Sequence, residues 1–196
     1  MIHCPYCNAT LEETAAECPQ CGIDGEKLVR IMGPMPVIFG GVTQEGNHLK
    51  KKEVKQLRKA VDVYHRRFPQ SRLHLMVRTF PQEMELPVIL FWIFNNAGLS
   101  SEGSKGGRNR DVVLLIEPNR GQAGMIVGYG LEPILAKEAM NDVVGRARGF
   151  LMDGDFAEAF NSMIDTLSEC LKAISEGLPE AVGLPVKLAE EDGDQY

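Results

Sequence analysis

Hydrophobic positions along the chain change period several times, and each change marks an element. From Lys50 to Phe68 the apolar residues Val54, Leu57, Val61, Tyr64 and Phe68 step by threes and fours, which predicts one stripe of an amphipathic helix. Pro69 stops it, and Leu73, Leu75 and Val77 then alternate with His74, Met76 and Arg78, the pattern of a half-buried strand. Val88 to Phe94 (VILFWIF) is apolar all round. Opened by Pro87 and ended by Asn95, Asn96 and Gly98, it predicts a short buried helix. Val112 to Ile116 is a continuous, β-branched-rich run, as in a strand covered on both faces. Pro118, Asn119, Arg120 and Gly121 supply a turn, and Ala123 to Val127 returns as a second strand. Gly128, Tyr129 and Gly130 break that strand. Leu131–Glu132 then open a stretch read as broadly helical to Phe150, with Ile134, Leu135, Met140, Val143, Val144 and Leu151 as core candidates. Gly154 interrupts it, and Phe156, Phe160, Met163, Ile164, Leu167, Leu171 and Ile174 line one face of a last helix.

The stretches between these runs lack a period. Gly22 to Gly33 reads as a linker or short connecting strand closed by Pro34 and Pro36, and Val37 to Val42 as a short strand entering the main domain. Gly98 to Arg110 (GLSSEGSKGGRNR) is polar and glycine-rich. Its amides and cations are of the kind that cradle phosphate, but the phosphate-loop spacing is missing and no helix follows. It is read as a mobile loop beside a functional edge. The resulting organisation is a metal ribbon over residues 1–24, a linker over 25–35, an α/β domain over 36–180 and an acidic flexible tail over 181–196. The fold class is α/β: a small mixed sheet with a central β-hairpin, flanked by helices.

The central hairpin followed at once by GYGLE is similar to the TPM domain, whose pattern pairs a "VLLLI" strand with a returning strand ending in "VGYGLE". LFWIFNNAG stands where that family has an "LF..W.IG"-like helix end, and DGDF resembles its "GDY" segment. The likeness is strongest at the hairpin and thins outward. It implies a soluble α/β domain. Some TPM proteins are credited with calcium binding and a weak acid-phosphatase activity in an acidic patch near the ends of the central strands. Members are commonly exported or membrane-anchored. Position by position, the family's Asp-Asn-Gly reads Asn109–Arg110–Asp111 here, Glu132 is retained, and Lys137 stands where the family has an Asp. The candidate carboxylate cluster is therefore Asp111, Glu132, Asp153 and Asp155. Calcium takes six to eight oxygen ligands, and Lys137 puts a cation near where it would sit. The alternative reading of these acids is helix caps and solvated carboxylates, with Asp153 and Asp155 flanking Gly154 at a helix start.

Cys4, Cys7, Cys18 and Cys21 spell CPYC and CPQC. Two such knuckles close a tetrahedral sulfur site, which favours structural zinc. Pro5 and Pro19 stiffen each knuckle, and Asn8 and Gly22 tolerate the positive φ that turns backbone N–H groups toward sulfur. Disulfides, a redox dithiol and a rubredoxin-like iron site are the competing readings; His3 is a bystander. Lone Cys170 is read as a small buried hydrophobe.

Charge and length narrow the functional classes. The 196 residues suit one domain and a small appendage, and 44% hydrophobic with 24% charged residues is a globular composition. A net charge of −6 gives no general attraction to nucleic acid or anionic lipid. The ribbon has only Tyr6 as an aromatic surface and carries Glu12, Glu13 and Glu17, which also disfavours nucleic acid. The most apolar run, Leu86 to Phe94, is far short of the roughly 20 residues that span a bilayer. With cysteines where a leader would have its apolar core, the expected location is the cytoplasm. One local exception to the acidic balance is the first long helix, with Lys50, Lys51, Lys52, Lys55, Arg58, Lys59, Arg66 and Arg67. Its basic side is read as a solvated face, or as a contact for an acidic partner or anionic membrane surface. The expected function is a non-enzymatic accessory protein whose zinc ribbon docks and whose TPM-like domain recognises a protein partner. The alternative is a calcium-type acid-phosphatase-like hydrolase acting through the carboxylates.

Overall fold

The computed structural model describes residues 2–4, 6–7, 9–12, 15–33, 38, 41–82, 84–97, 99 and 110–181, with backbone alone at 2–3 and 178–181. Two short strands, β1 (Ile2–His3) and β2 (Thr10–Leu11), pair antiparallel at the start, followed by α1 (Gly25–Met32). The main body runs β3 (Val42–Gln44), α2 (Lys51–Arg67), β4 (Arg72–Val77), α3 (Leu86–Asn96), β5 (Asp111–Glu117), β6 (Gln122–Val127), α4 (Lys137–Arg146), α5 (Arg148–Met152) and α6 (Phe156–Ala181). The mixed four-stranded sheet has the order β3-β4-β5-β6. β3, β4 and β5 are parallel, and β6 returns antiparallel to β5, with Val112 opposite Val127 and Glu117 opposite Gln122.

Alternation along the strands divides the core in two. Leu73, Leu75 and Val77 of β4 and Val112, Leu114 and Ile116 of β5 face one way, against Leu57, Val61 and Tyr64 of α2 and Phe160, Met163 and Leu167 of α6. Met76, Val113 and Leu115 face the other way, against Ile89, Trp92 and Ile93 of α3 and Met32 of α1. Thus α2 and α3 cover opposite faces, although both crossovers step in the same direction across the sheet. Two such crossovers must have opposite hands, so one of them is of the left-handed kind that βαβ units rarely adopt.

Several elements differ from the sequence reading for identifiable reasons. β4 is covered on both faces rather than half-buried: Met76 is fully buried beneath α3, because the alternation had counted an apolar side chain on the polar side. Instead of an irregular linker, α1 forms. Asp24 caps it by accepting the Lys27 N–H at 2.6 Å, and its inward stripe is only Leu28 and Met32, too short to register as a period. β3 begins at Val42; Val37 lies outside the described residues. After β6 the chain makes consecutive turns through residues 128–135, and α4 starts only at Lys137. A single turn closes around Pro133, with the Leu135 N–H donating to Leu131 O at 2.9 Å, but Ala136 at ψ 148° is extended and separates that turn from α4. Leu131 and Leu135 nonetheless reach the core. The apolar α3 leaves Phe91 52% exposed. The glycine-rich loop, at residues 98 and 100–109, and the tail beyond 181 fall outside the described residues.

Two contacts yield tests of this packing. Gly41 has φ 76°, and a Cβ there would lie 2.7 Å from Val61 Cγ1 on a stiff, β-branched helical residue. Gly41→Ala should cost about 1–3 kcal/mol in urea unfolding. His65 Nε2 accepts the Leu73 N–H at 2.9 Å, and burial first, then the nearby His74, lowers its pKa below the ordinary 6.5. The unfolded chain therefore binds the proton more readily, so this stability is present above about pH 6.5 and lost as pH falls below it. His65→Gln should flatten that acid limb in pH-dependent unfolding.

Candidate metal centre and the acids of the sheet edge

The N-terminal cysteines are brought together by two tight turns. In the first knuckle the Cys4 N–H donates to Ala9 O at 2.8 Å. In the second, the Cys18 N–H donates to Ile23 O at 2.9 Å and the Gly22 N–H to Cys18 O at 2.7 Å, with Gly22 at φ 65°. The Sγ atoms of Cys4 and Cys21 are 3.7 Å apart, those of Cys7 and Cys18 are 3.6 Å apart, and all four lie within 4.8 Å of one another. A tetrahedron built on zinc–sulfur bonds of about 2.3 Å has sulfur–sulfur edges of about 3.8 Å. The donor set therefore suits one tetrahedral ion, whereas a disulfide would need about 2 Å. All five cysteines of the chain are free thiols. The Tyr6 N–H points at Cys4 Sγ, 3.4 Å away, the kind of outer hydrogen bond that steadies a metal-bound thiolate.

Burial is uneven within the quartet: Cys4 and Cys18 are buried, Cys7 and Cys21 exposed. So is acidity. Desolvation opposes ionisation of Cys18, but the N–H groups of Cys21 and Gln20 and the neighbouring thiols outweigh it and draw its pKa down to about 6. At Cys21 desolvation dominates, and the thiols of Cys7, Cys18 and Cys4 add to it against one helping N–H, raising the pKa to about 12. Four sulfurs at these distances cannot all ionise by themselves. A bound dication supplies the missing stabilisation and releases protons as it binds.

The ribbon leads directly into the body through α1. At its far end, Met32 O accepts from Arg78 at 3.2 Å, and Arg78 is 6% exposed. The same guanidinium meets Glu45 at 2.8 Å and lies over the rings of Phe80 and Trp92, at 5.0 and 6.0 Å from their centroids.

The four candidate carboxylates occupy different settings. Asp111 is buried at the start of β5, with Oδ1 3.0 Å from His74 Nε2, and its carbonyl accepts the Gly128 N–H at 2.9 Å. Glu132 is exposed in the turns after β6. Asp153 is exposed at the end of α5, and Asp155 caps α6 by accepting the Glu158 N–H at 3.1 Å. Among the described residues, the cysteine quartet is the one group of three or more His, Cys, Asp or Glu gathered closely enough to share an ion. Sequence alternation places His74 only on the polar side of its strand. Its tie to Asp111 depends on the β4–β5 register, which sets the two residues diagonally on the α3 face. A second buried acid, Glu117, was also missed. It is fully buried, with Oε1 accepting the Phe80 N–H at 3.3 Å and Oε2 the Arg120 N–H at 2.6 Å.

The family model of the TPM domain matches residues 42–170. Solved structures with similar folds include three from bacteria. The N-terminal domain of a protein from P. gingivalis shares 15% identity over 70% of this chain and 85% of that one, with a TM-score of 0.59. The BA42 protein of the psychrophile Bizionia argentinensis shares 11%, covering 76% and 90%, at 0.55. The N-terminal domain of the cg2496 protein of Corynebacterium glutamicum shares 10%, covering 85% and 97%, at 0.52. No curated protein matches the sequence. At these identities the likeness is one of fold.

Elemental analysis of the purified chain should find one equivalent of a tetrahedral, thiophilic metal. Cys18→Ser should abolish its retention under a competing chelator. Lowering the pH should release it from the unmodified chain, because protons compete for the same sulfurs.

Proposed function

Because the chain belongs to the TPM domain family, we propose that it is an accessory protein in which a zinc-loaded ribbon docks and the TPM body recognises a protein partner. The observation carrying this reading is the closed set of four sulfurs. A four-thiolate zinc leaves no open coordination position and so acts structurally, and this one is joined to the body through α1 and Arg78. The five unpaired thiols favour a reducing compartment, hence the cytoplasm. No helix among the described residues is long and apolar enough to cross a membrane. The exposed cations of α2, among them Lys51, Lys52, Lys55, Arg58, Lys59, Arg66 and Arg67, offer a secondary contact to an anionic membrane surface or an acidic partner. They make nucleic acid a weak alternative, since the ribbon itself is acidic.

A second reading, a calcium-type acid-phosphatase-like hydrolase, draws on the buried Asp111–His74 pair, because a carboxylate that orients an imidazole recurs in acid–base sites. Against it stands the spread of Glu132, Asp153 and Asp155 over separate elements. The accessory reading expects no appreciable turnover of a generic phosphomonoester with or without calcium. Activity abolished by Asp111→Asn or Glu132→Gln would replace it with the second reading. Affinity capture from native cytosol should retain a partner on the metal-loaded full-length chain and lose it when Cys7 and Cys21 are both changed to Ser.

A further inference from the structure

Beyond the carboxyl ends of β4 and β5, at the opposite edge of the sheet from Asp111, lies a cleft of about 560 Å³. That size falls within the range of small-ligand sites, and the carboxyl edge of parallel strands is where open α/β sheets bind ligands. Three segments bound it: residues 82 and 84–87 leading into α3, the β5–β6 hairpin tip at residues 120–123, and the α4–α5 junction with Gly145 and Arg148. Nothing in the accessory reading uses this cleft, and the site is independent of the metal centre.

We propose that the cleft binds a small amphipathic monocarboxylate, its carboxylate held between Arg120 and Arg148 and its apolar body against Leu86, Pro87, Ala123 and Leu151. Arg120 is the fixed part of the site. Its guanidinium donates to Met84 O at 2.6 Å and to Pro81 O, and its backbone N–H is held by Glu117. Those two side-chain bonds use two of five donors. Nε is shielded from water and has no hydrogen-bond partner among the described residues, with Glu117 Oε2 3.9 Å away. Arg148 is exposed on the facing wall and enters no ion pair among the described residues. The planar fork of Arg148 suits a carboxylate, and the remaining N–H groups of the Arg120 terminal nitrogens supply a second, fixed donor.

Charge sets the ligand's valence. Buried Glu117 offsets Arg120, with Oε2 3.9 Å from its Nε, and exposed Glu85 also lines the cleft. Exposed Glu85 is screened by solvent, so Arg148 is the one cation of the lining without a buried counter-charge, which matches a single negative charge better than two. Carboxylate is therefore favoured over phosphate monoester.

A ¹H–¹⁵N titration of the full, metal-loaded chain tests this, with benzoate, benzamide and phenyl phosphate as probes. Benzoate should shift the amides of Gly121, Gln122, Gly145 and Arg148 saturably at millimolar concentration; benzamide should not, and phenyl phosphate should bind more weakly. Arg148→Ala should weaken benzoate about tenfold, equivalent to about 1.4 kcal/mol. Gly145→Leu should block it: a Cβ at Gly145 meets nothing within 4 Å, so the side chain enters open space without displacing the helix. Thermal unfolding would verify that both variants are folded. No saturable shift, equal shifts with benzamide, tighter binding of phenyl phosphate, or undiminished binding in folded Gly145→Leu would each overturn the assignment. None of these outcomes bears on partner capture through the ribbon.

Discussion

The structure depends on a central strand from which water is wholly excluded. Every residue of β5, from Asp111 to Glu117, is buried. Five apolar side chains in the middle require a packed layer on each side of the sheet. The two acids at its ends require partners, since an uncompensated buried carboxylate is costly. At the start Asp111 takes His74, and at the end Glu117 takes the Phe80 and Arg120 N–H groups. Those obligations explain much of what surrounds the strand. The Glu117–Arg120 arrangement pins the segment before α3 to the hairpin tip, and the Asp111 carbonyl holds Gly128 where β6 gives way to turns.

The two layers are not equal. One face carries α2, α4 and α6 and most of the core; the other carries α3 with a contribution from α1. Opposite-handed crossovers produce this division, since they send α2 and α3 to different sides while the strands advance one place at a time. A single short helix does not close the thinner side. Met32 fills the remaining space, and Arg78 catches the carbonyl of the same residue. The metal ribbon is thus attached to the body at the side where the body is least covered.

How much of this the sequence revealed depended on the range of the interaction concerned. The hairpin was visible residue by residue, because Val112 to Ile116 and Pro118 to Gly121 carry local patterns that no tertiary context reversed. The cysteine knuckles were equally legible, their spacing being itself the geometry of the site. The long stripes of α2 and α6 emerged for the same reason. What escaped were features made by contact. Met76 and Met32 became core residues only once a second layer faced them, His74 met Asp111 only through strand register, and an extended Ala136 parted the turn after GYGLE from the helix that follows. Arg120 looked like a turn residue and proved to be a bracket, a role that no one-dimensional pattern encodes.

Arg78 has a mechanical consequence. One guanidinium joins the end of α1, the acid that follows β3 and two aromatic rings, so together with the packing of Met32 and Leu28 it passes tension on the N-terminal segment into the body. Were it to give way, Phe80 and Trp92 would lose the charge that shields them and Met32 would leave its seat, uncovering greasy surface at the moment of release. Tugging on the ribbon would therefore do more than detach it: it would turn the face beneath into something adhesive.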